Sequence, residues 1–213
     1  PGGTIFLKDE LEDLAKIIKQ KNMFVLCDEI HSDFILDAND SHLHMATINN
    51  MMDRVITINS LSKTFNIAGL NCAFAVIPND SLRKSFKKIL KGHTPSPSIF
   101  GLIGTLACLK HGDEWKRELI EYLNINKDYL LNEFSPRKDI ELIEPKGTYL
   151  LWFKVFNGKS INLQQHFESH GVGLSDGKDF GKPGWMRLNF GTNLELLKKA
   201  SPRIHKALDA LSS

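Results

Sequence analysis

Three short apolar runs set the limits on what this chain can fold into. MFVLC (residues 23–27), RVITIN (54–59) and CAFAVI (72–77) lack the alternation of a half-solvated strand. They are too short for buried helices and rich in residues that favour strands, so each predicts a strand covered on both faces. The stretches between them are too long for hairpins. KDELEDLAKIIKQ (8–20) predicts a helix with Leu11, Leu14, Ile17 and Ile18 inward and acids in its first turn. SLRKSFKKILK (81–91) predicts a second helix with a solvated basic face. Together these predict an α/β fold with a mostly parallel sheet.

TPSPS (94–98) breaks the pattern, and helix-rich sequence follows. Residues 113–134 predict one long helix with Trp115, Leu119, Tyr122, Leu123 and Ile125 inward. Beyond residue 140 the character changes. IELIEP and TYLLWFKV predict strands, INLQQHFESHG a helix ending at Gly171, and WMRLNFG a further strand. NLELLKKASPRIHKALDAL predicts a closing helix interrupted at Pro202. We therefore expect a first part over residues 1–112 and a smaller α+β domain over 113–213. The opening PGGTIF is turn chemistry with no initiating methionine, which reads as part of a longer protein.

Charge narrows the function classes. The formal net charge is +2 with acids and bases interspersed, so there is no field for nucleic acid. Cys27, Cys72 and Cys108 are too few and too widely spaced for a disulfide framework or a zinc site, and no metal ligands are assigned. No apolar run approaches the length of a membrane span, and a cytoplasmic location is the expectation.

Three charged residues stand at or near strand exits, where sites gather in open α/β sheets. Asp28 follows the first run, Lys63 lies just beyond the second, and Arg187 sits inside a late strand. A lysine at the exit of a buried strand is costly unless paired or chemically used. From spacing alone two readings stand: a convergent site, or a helix-capping Asp, a surface Lys and a salt-bridged Arg.

The run SLSKTFNIAGL resembles the cofactor-lysine motif S-x-S-K-x-x-x-x-x-G of the fold-type I pyridoxal-phosphate-dependent aminotransferase superfamily (class I/II). Other pieces fall in that family's order. PGGTIF resembles the end of its N-P-x-N-P-[TG]-G segment, VLCDEIHSD its D-E-x-[YH]-x-D, and RLNFG its R-[LI]-x-[FLA] strand. DEIH, GLNCAF, GTYLLW and the set Trp115, Leu119, Tyr122, Leu123, Asn126 resemble its cystathionine β-lyase (C–S lyase) branch. The resemblance covers essentially the whole chain, as the C-terminal half of such a protein.

The resemblance implies pyridoxal 5'-phosphate as cofactor, an amino acid as substrate and a homodimer when full length. It also implies that residues 1–112 are the C-terminal part of the cofactor-binding large domain. Lys63 becomes the lysine that joins the cofactor aldehyde and later removes the substrate α-proton. Asp28 pairs with the pyridine nitrogen, and His31 donates to the ring's phenolic oxygen. Ser60 and Ser62 donate to the phosphate, although Ser62 alternatively caps the following turn. Arg187 clamps the substrate α-carboxylate, with a structural ion pair as its alternative. Where the aminotransferase branch has an arginine eight residues after the lysine, this chain has the neutral Asn71. Tyr149 and Trp152 are read as packing residues. Asp33 and His44 receive no role.

The expected activity is cleavage of the Cβ–S bond of cystathionine or cysteine S-conjugates to thiol, pyruvate and ammonia. The alternatives are an aminotransferase and a non-catalytic fragment or regulatory relative. In the family, the half of the protein not in this sequence supplies a phosphate-binding helix terminus, an aromatic on the cofactor ring and much of the dimer contact. The 213 residues alone are therefore expected to bind cofactor weakly or not at all and to be inactive.

Overall fold

The computed structural model describes residues 2–158 and 161–212. Pro1, the first residue of the expected opening turn, lies outside them. The chain divides into two compact units. One comprises Ile5–Phe34 and Ser41–Glu118; the other comprises Pro1–Thr4, Ile35–Asp40 and Leu119–Ser213.

In the first unit, helix α1 (Lys8–Gln20) begins where the Glu10 carboxylate accepts from the Leu7 N–H at 2.7 Å, with Asp9 and Glu10 favouring the positive helix end. Its inward residues are Leu11, Ala15 and Ile18, spaced four and three apart; Leu14 and Ile17, expected inward, are exposed. Strands β1 (Val25–Asp28), β2 (Val55–Asn59) and β3 (Phe74–Val76) form a sheet in that order. β1 and β2 are parallel, with Val25 opposite Val55 and Asp28 opposite Ile58, as the crossover connection requires. β3 runs antiparallel to β2, so this sheet is half parallel rather than mostly so.

The strands are not covered on both faces. Leu11, Ala15 and Ile18 pack with Met45, Ile48, Met51 and Val55, and Val25 and Cys27 lean on that cluster. On the other face Leu26 is 60% exposed; Phe74 and Val76 of β3, which the register with Asn59 and Thr57 puts on the same face as Val55, are exposed as well. Continuous apolar runs carry two apolar faces, and within these residues α1, the 3-10 turn at Met45–Thr47 and the following Ile48 and Met51 meet one of them. Helices α2 (Asp80–Leu90) and α3 (Ile99–His111) start on side-chain caps. Asn79 accepts from Leu82 N–H and Ser98 from Gly101 N–H. Neither buries a large apolar face; Phe100, Ile103 and Leu106 of α3 stay exposed.

In the second unit, strands β4 (Ile140–Ile143), β5 (Leu150–Val155), β6 (Ser175–Asp176) and β7 (Trp185–Asn189) form an antiparallel sheet in the order β4-β5-β7-β6. The backbone of 35–40 is stitched in beside it. Ile35 bridges Gly147, Leu36 N–H donates to Lys146, and Asn124 Nδ2 donates to Leu36 O at 2.9 Å. Gly3 has φ of +67°, and its carbonyl accepts from the N–H groups of Lys146 and Gly147. A Cβ there would stand 2.6 Å from Gly147 O, so the turn needs glycine.

Helix α4 (Asp113–Phe134) is unbroken, as its periodicity predicts, but its buried residues are Leu123, Asn126, Leu130 and Phe134. Trp115, Tyr122 and Ile125, expected inward, are largely exposed. Helix α5 (Leu163–Ser169) ends just before Gly171, at φ +78°. The closing helix α6 (Leu194–Ser212) runs through Pro202. A mid-helix proline costs about 3 kcal/mol, but Leu197, Ser201, Ile204, Ala207 and Leu208 keep one face fully packed across it.

Asn126 is wholly buried, and its Nδ2 donates to the carbonyls of Phe190 and Thr192 at 2.9 and 2.7 Å. Asn126→Ala orphans both acceptors and leaves a void, at an expected cost of about 2–4 kcal/mol. A urea unfolding midpoint unchanged from wild type would refute this.

Candidate functional site

Because β1 and β2 run parallel, their carboxyl ends share one edge of the sheet. Asp28 ends β1, and β2 leads through Asn59 and Ser60 into the turn that carries Lys63. Asp28 is exposed; its Oδ1 accepts from Ile30 N–H at 3.2 Å. Lys63 is exposed as well, rather than held at a buried exit, and among the described residues its amine makes no ion pair or hydrogen bond. Ser60, Leu61 and Thr64 around it are buried, so the backbone is fixed while the amine stays available.

The two serines brace this turn. Ser60 Oγ lies 2.6 Å from the Cys72 carbonyl, which can only accept, so the single hydroxyl proton of Ser60 goes there. The 2.6 Å contact between Ser60 Oγ and Ser62 Oγ is then donated by Ser62, and Ser62 N–H donates to the same oxygen at 3.1 Å. Both hydroxyl protons are spent inside the turn. A phosphate could gain the Ser62 proton by rotation of one hydroxyl, whereas Ser60 would have to release Cys72. Asn71 adopts the left-handed conformation at φ +49°, and its amide donates to the Gly69 carbonyl at 3.4 Å.

Residues given no site role from sequence hold the loops after β1 and β2 together. Asn59 Nδ2 donates to Ser32 Oγ at 3.3 Å, and Asn59 Oδ1 accepts from Ser60 N–H at 2.7 Å. Asp33, which received no role, accepts from Thr64 Oγ1 at 2.9 Å and from Lys116 Nζ at 3.3 Å. Trp115 Nε1 donates to the Thr64 carbonyl at 3.1 Å, one residue past Lys63. A Cβ at Gly112 would run into the Phe65 ring, so glycine there lets Phe65 close the turn. His31 sits on the β1 loop with its ring 5.6 Å from that of Phe34.

Arg187 belongs to the second unit. On β7 it faces Trp152 and Ser175 across the sheet. Its Nη2 donates to Ser175 Oγ at 3.3 Å, and its guanidinium lies 4.3 Å from the Phe180 ring centre. Among the described residues no carboxylate pairs with it, so the structural ion pair weighed from sequence is not there. Trp152 is buried and stacks on Trp185 at 5.4 Å, a packing role. Tyr149 precedes β5 rather than lying within it. Burial raises its phenol pKa above the ordinary value, and the Arg187 charge opposes that rise.

The family model for aminotransferase class I and II matches residues 1–204. The chain belongs to that family. It is 30% identical to cystathionine β-lyase PatB of Bacillus subtilis over 98% of this chain and 56% of the relative. It is 26% identical to an aspartate aminotransferase of Thermotoga maritima over 99% of this chain and 54% of the relative. Among solved structures, OvoB superposes with a TM-score of 0.93 at 34% identity, over 98% of this chain and 55% of that one. The chain thus spans about half the length of these relatives. The family is pyridoxal-phosphate-dependent, and solved relatives carry that cofactor.

The donor set here fits such a cofactor. An unpaired exposed amine and an exposed carboxylate stand on one sheet edge. The phosphate contact is the weaker part of the fit, because both serine protons are already spent. No helix among the described residues is long and apolar enough to cross a membrane.

Proposed function

We propose that the whole protein is a C–S β-lyase that cleaves the Cβ–S bond of cystathionine or cysteine S-conjugates, releasing thiol, pyruvate and ammonia. In this reading residues 1–112 are the C-terminal part of the cofactor-binding domain and 113–213 the smaller domain. Pyridoxal phosphate, when bound, supplies the electron sink for negative charge developing at the substrate Cα. Lys63 would be the residue that holds the cofactor through its aldehyde, and its free Nζ would be the base that takes the substrate α-proton. Asp28 holds the proton on the pyridine nitrogen. Arg187 takes the α-carboxylate with its guanidinium fork, for which its lack of an internal carboxylate partner leaves it available. In the same reading His31 would meet the ring's phenolic oxygen, and Ser62 the phosphate. A homodimer is part of the same proposal.

Asn71 carries the lyase over the aminotransferase. Eight residues after Lys63, where the aminotransferase branch has an arginine, the chain has a neutral side chain turned onto Gly69. The 30% identity to PatB agrees with this. The aminotransferase reading keeps one supporting observation, the match to the Thermotoga aspartate aminotransferase along 99% of the chain. Incubating the full-length enzyme with cystathionine and measuring pyruvate separates them. The lyase releases pyruvate without any added keto acid. Amino transfer that depends on a keto acid, with no pyruvate from cystathionine, overturns the proposal.

A further inference from the structure

We infer that Glu29, His42 and His44 form a binding site for a divalent transition ion of the zinc class. Glu29 is 5% exposed, one residue past the end of β1, and a buried carboxylate needs a cationic partner. Among the described residues no lysine or arginine supplies one. Two imidazoles converge on the same carboxylate oxygen instead. His44 Nδ1 lies 2.5 Å and His42 Nε2 3.3 Å from Glu29 Oε2, and the two rings meet edge-on at 4.8 Å. His42 Nε2 is itself buried and makes no well-formed hydrogen bond. The three donor atoms lie within 4.8 Å of one another, the only such group of three among the described residues.

The geometry suits a tetrahedral ion. Bonds of about 2.0–2.2 Å place neighbouring donors about 3.3 Å apart, which is the Glu29–His42 spacing. His44 Nδ1 must back away from Glu29 Oε2 by about 0.8 Å to reach the spacing His42 already has, and its side chain, 55% exposed, has room to move. Two imidazoles and one carboxylate select zinc-like ions over magnesium or calcium, which prefer all-oxygen shells. Three protein ligands leave the fourth position to water. Glu29 is anchored by its N–H donating to Ile58 O at 2.9 Å, so the ion would tie the His42–His44 loop to the strand exit that carries Asp28. It is a brace beside the cofactor site and takes no part in the chemistry proposed for Lys63.

The test uses full-length protein, stripped with a chelator and titrated with Zn2+ against a chromogenic competitor. One equivalent per chain should bind and raise the melting temperature. H42N and H44N should each weaken binding about 100-fold or more, since loss of even an outer-shell partner costs 10–100-fold. A control variant at His166 and His170, the neighbouring rings at 4.7 Å, should bind as wild type. Absence of stoichiometric binding, or wild-type affinity in H42N and H44N, overturns the site. Because the variants could fold poorly, Co2+ bound to the wild type gives an independent readout. A visible d–d band without a thiolate charge-transfer band supports the site. A thiolate band places the ion on a cysteine and overturns it.

Discussion

Full-length protein carrying Lys63→Ala is expected to lose both its activity and the visible absorbance of lysine-bound cofactor. The effect is the largest available because Lys63 is proposed to serve twice, as the attachment point and as the base at Cα. The neighbourhood makes the experiment clean. Lys63 is exposed and pairs with no described residue, so removing its amine breaks no structural contact. The turn is held by other groups: Ser60 on Cys72, Thr64 on Asp33, and Trp115 on the Thr64 carbonyl. The variant should therefore melt with the wild type while losing turnover by several orders of magnitude. An unchanged absorption spectrum in a folded variant would remove Lys63 from the mechanism.

The local sequence made the elements legible, because caps and periodicity are local facts. Helix α1 carries its acids in the first turn, α2 and α3 start on Asn79 and Ser98, and each apolar run overlaps its strand. What packs against each face is not local. Leu14, Ile17, Trp115, Tyr122 and Ile125 have helical spacing yet point outward, because the partner surface, not the period alone, selects the buried stripe. Likewise β3 joins the sheet antiparallel, a choice the run CAFAVI does not encode.

The site divides the same way. Lys63, Asp28 and Ser60 were visible because motif and strand exit coincide. The bracing contacts of Asp33, Asn59 and Trp115 were not, since their partners lie 27 to 83 residues away in the chain. The buried Glu29 facing two histidines was hidden for the same reason. The spacing of His42 and His44, two apart, was the one local sign of it, and it gains meaning only when β1 is placed beside them.

Asp28→Asn is expected to separate cofactor attachment from turnover. The substitution is nearly isosteric, and an asparagine carbonyl oxygen can still accept the Ile30 N–H that Oδ1 now takes at 3.2 Å. The end of β1, paired at Asp28 with Ile58, should keep its place. Lys63 lies on the neighbouring loop and remains intact, so cofactor should still attach and colour the protein. What disappears is the negative charge proposed to hold a proton on the pyridine nitrogen. A neutral amide does not stabilise the protonated ring, and the unprotonated ring is a poorer sink for charge developing at Cα. Loss of one preorganised electrostatic partner of this kind costs about 3 kcal/mol, or roughly 100-fold in kcat. The comparison that decides it is pyruvate release per bound cofactor in wild type and variant, measured alongside the absorption spectrum. Full cofactor loading with turnover reduced by about two orders of magnitude supports the pairing. Turnover within a factor of a few of wild type, at equal loading, would show that Asp28 only caps the strand end, the plain role its bond to Ile30 already gives it.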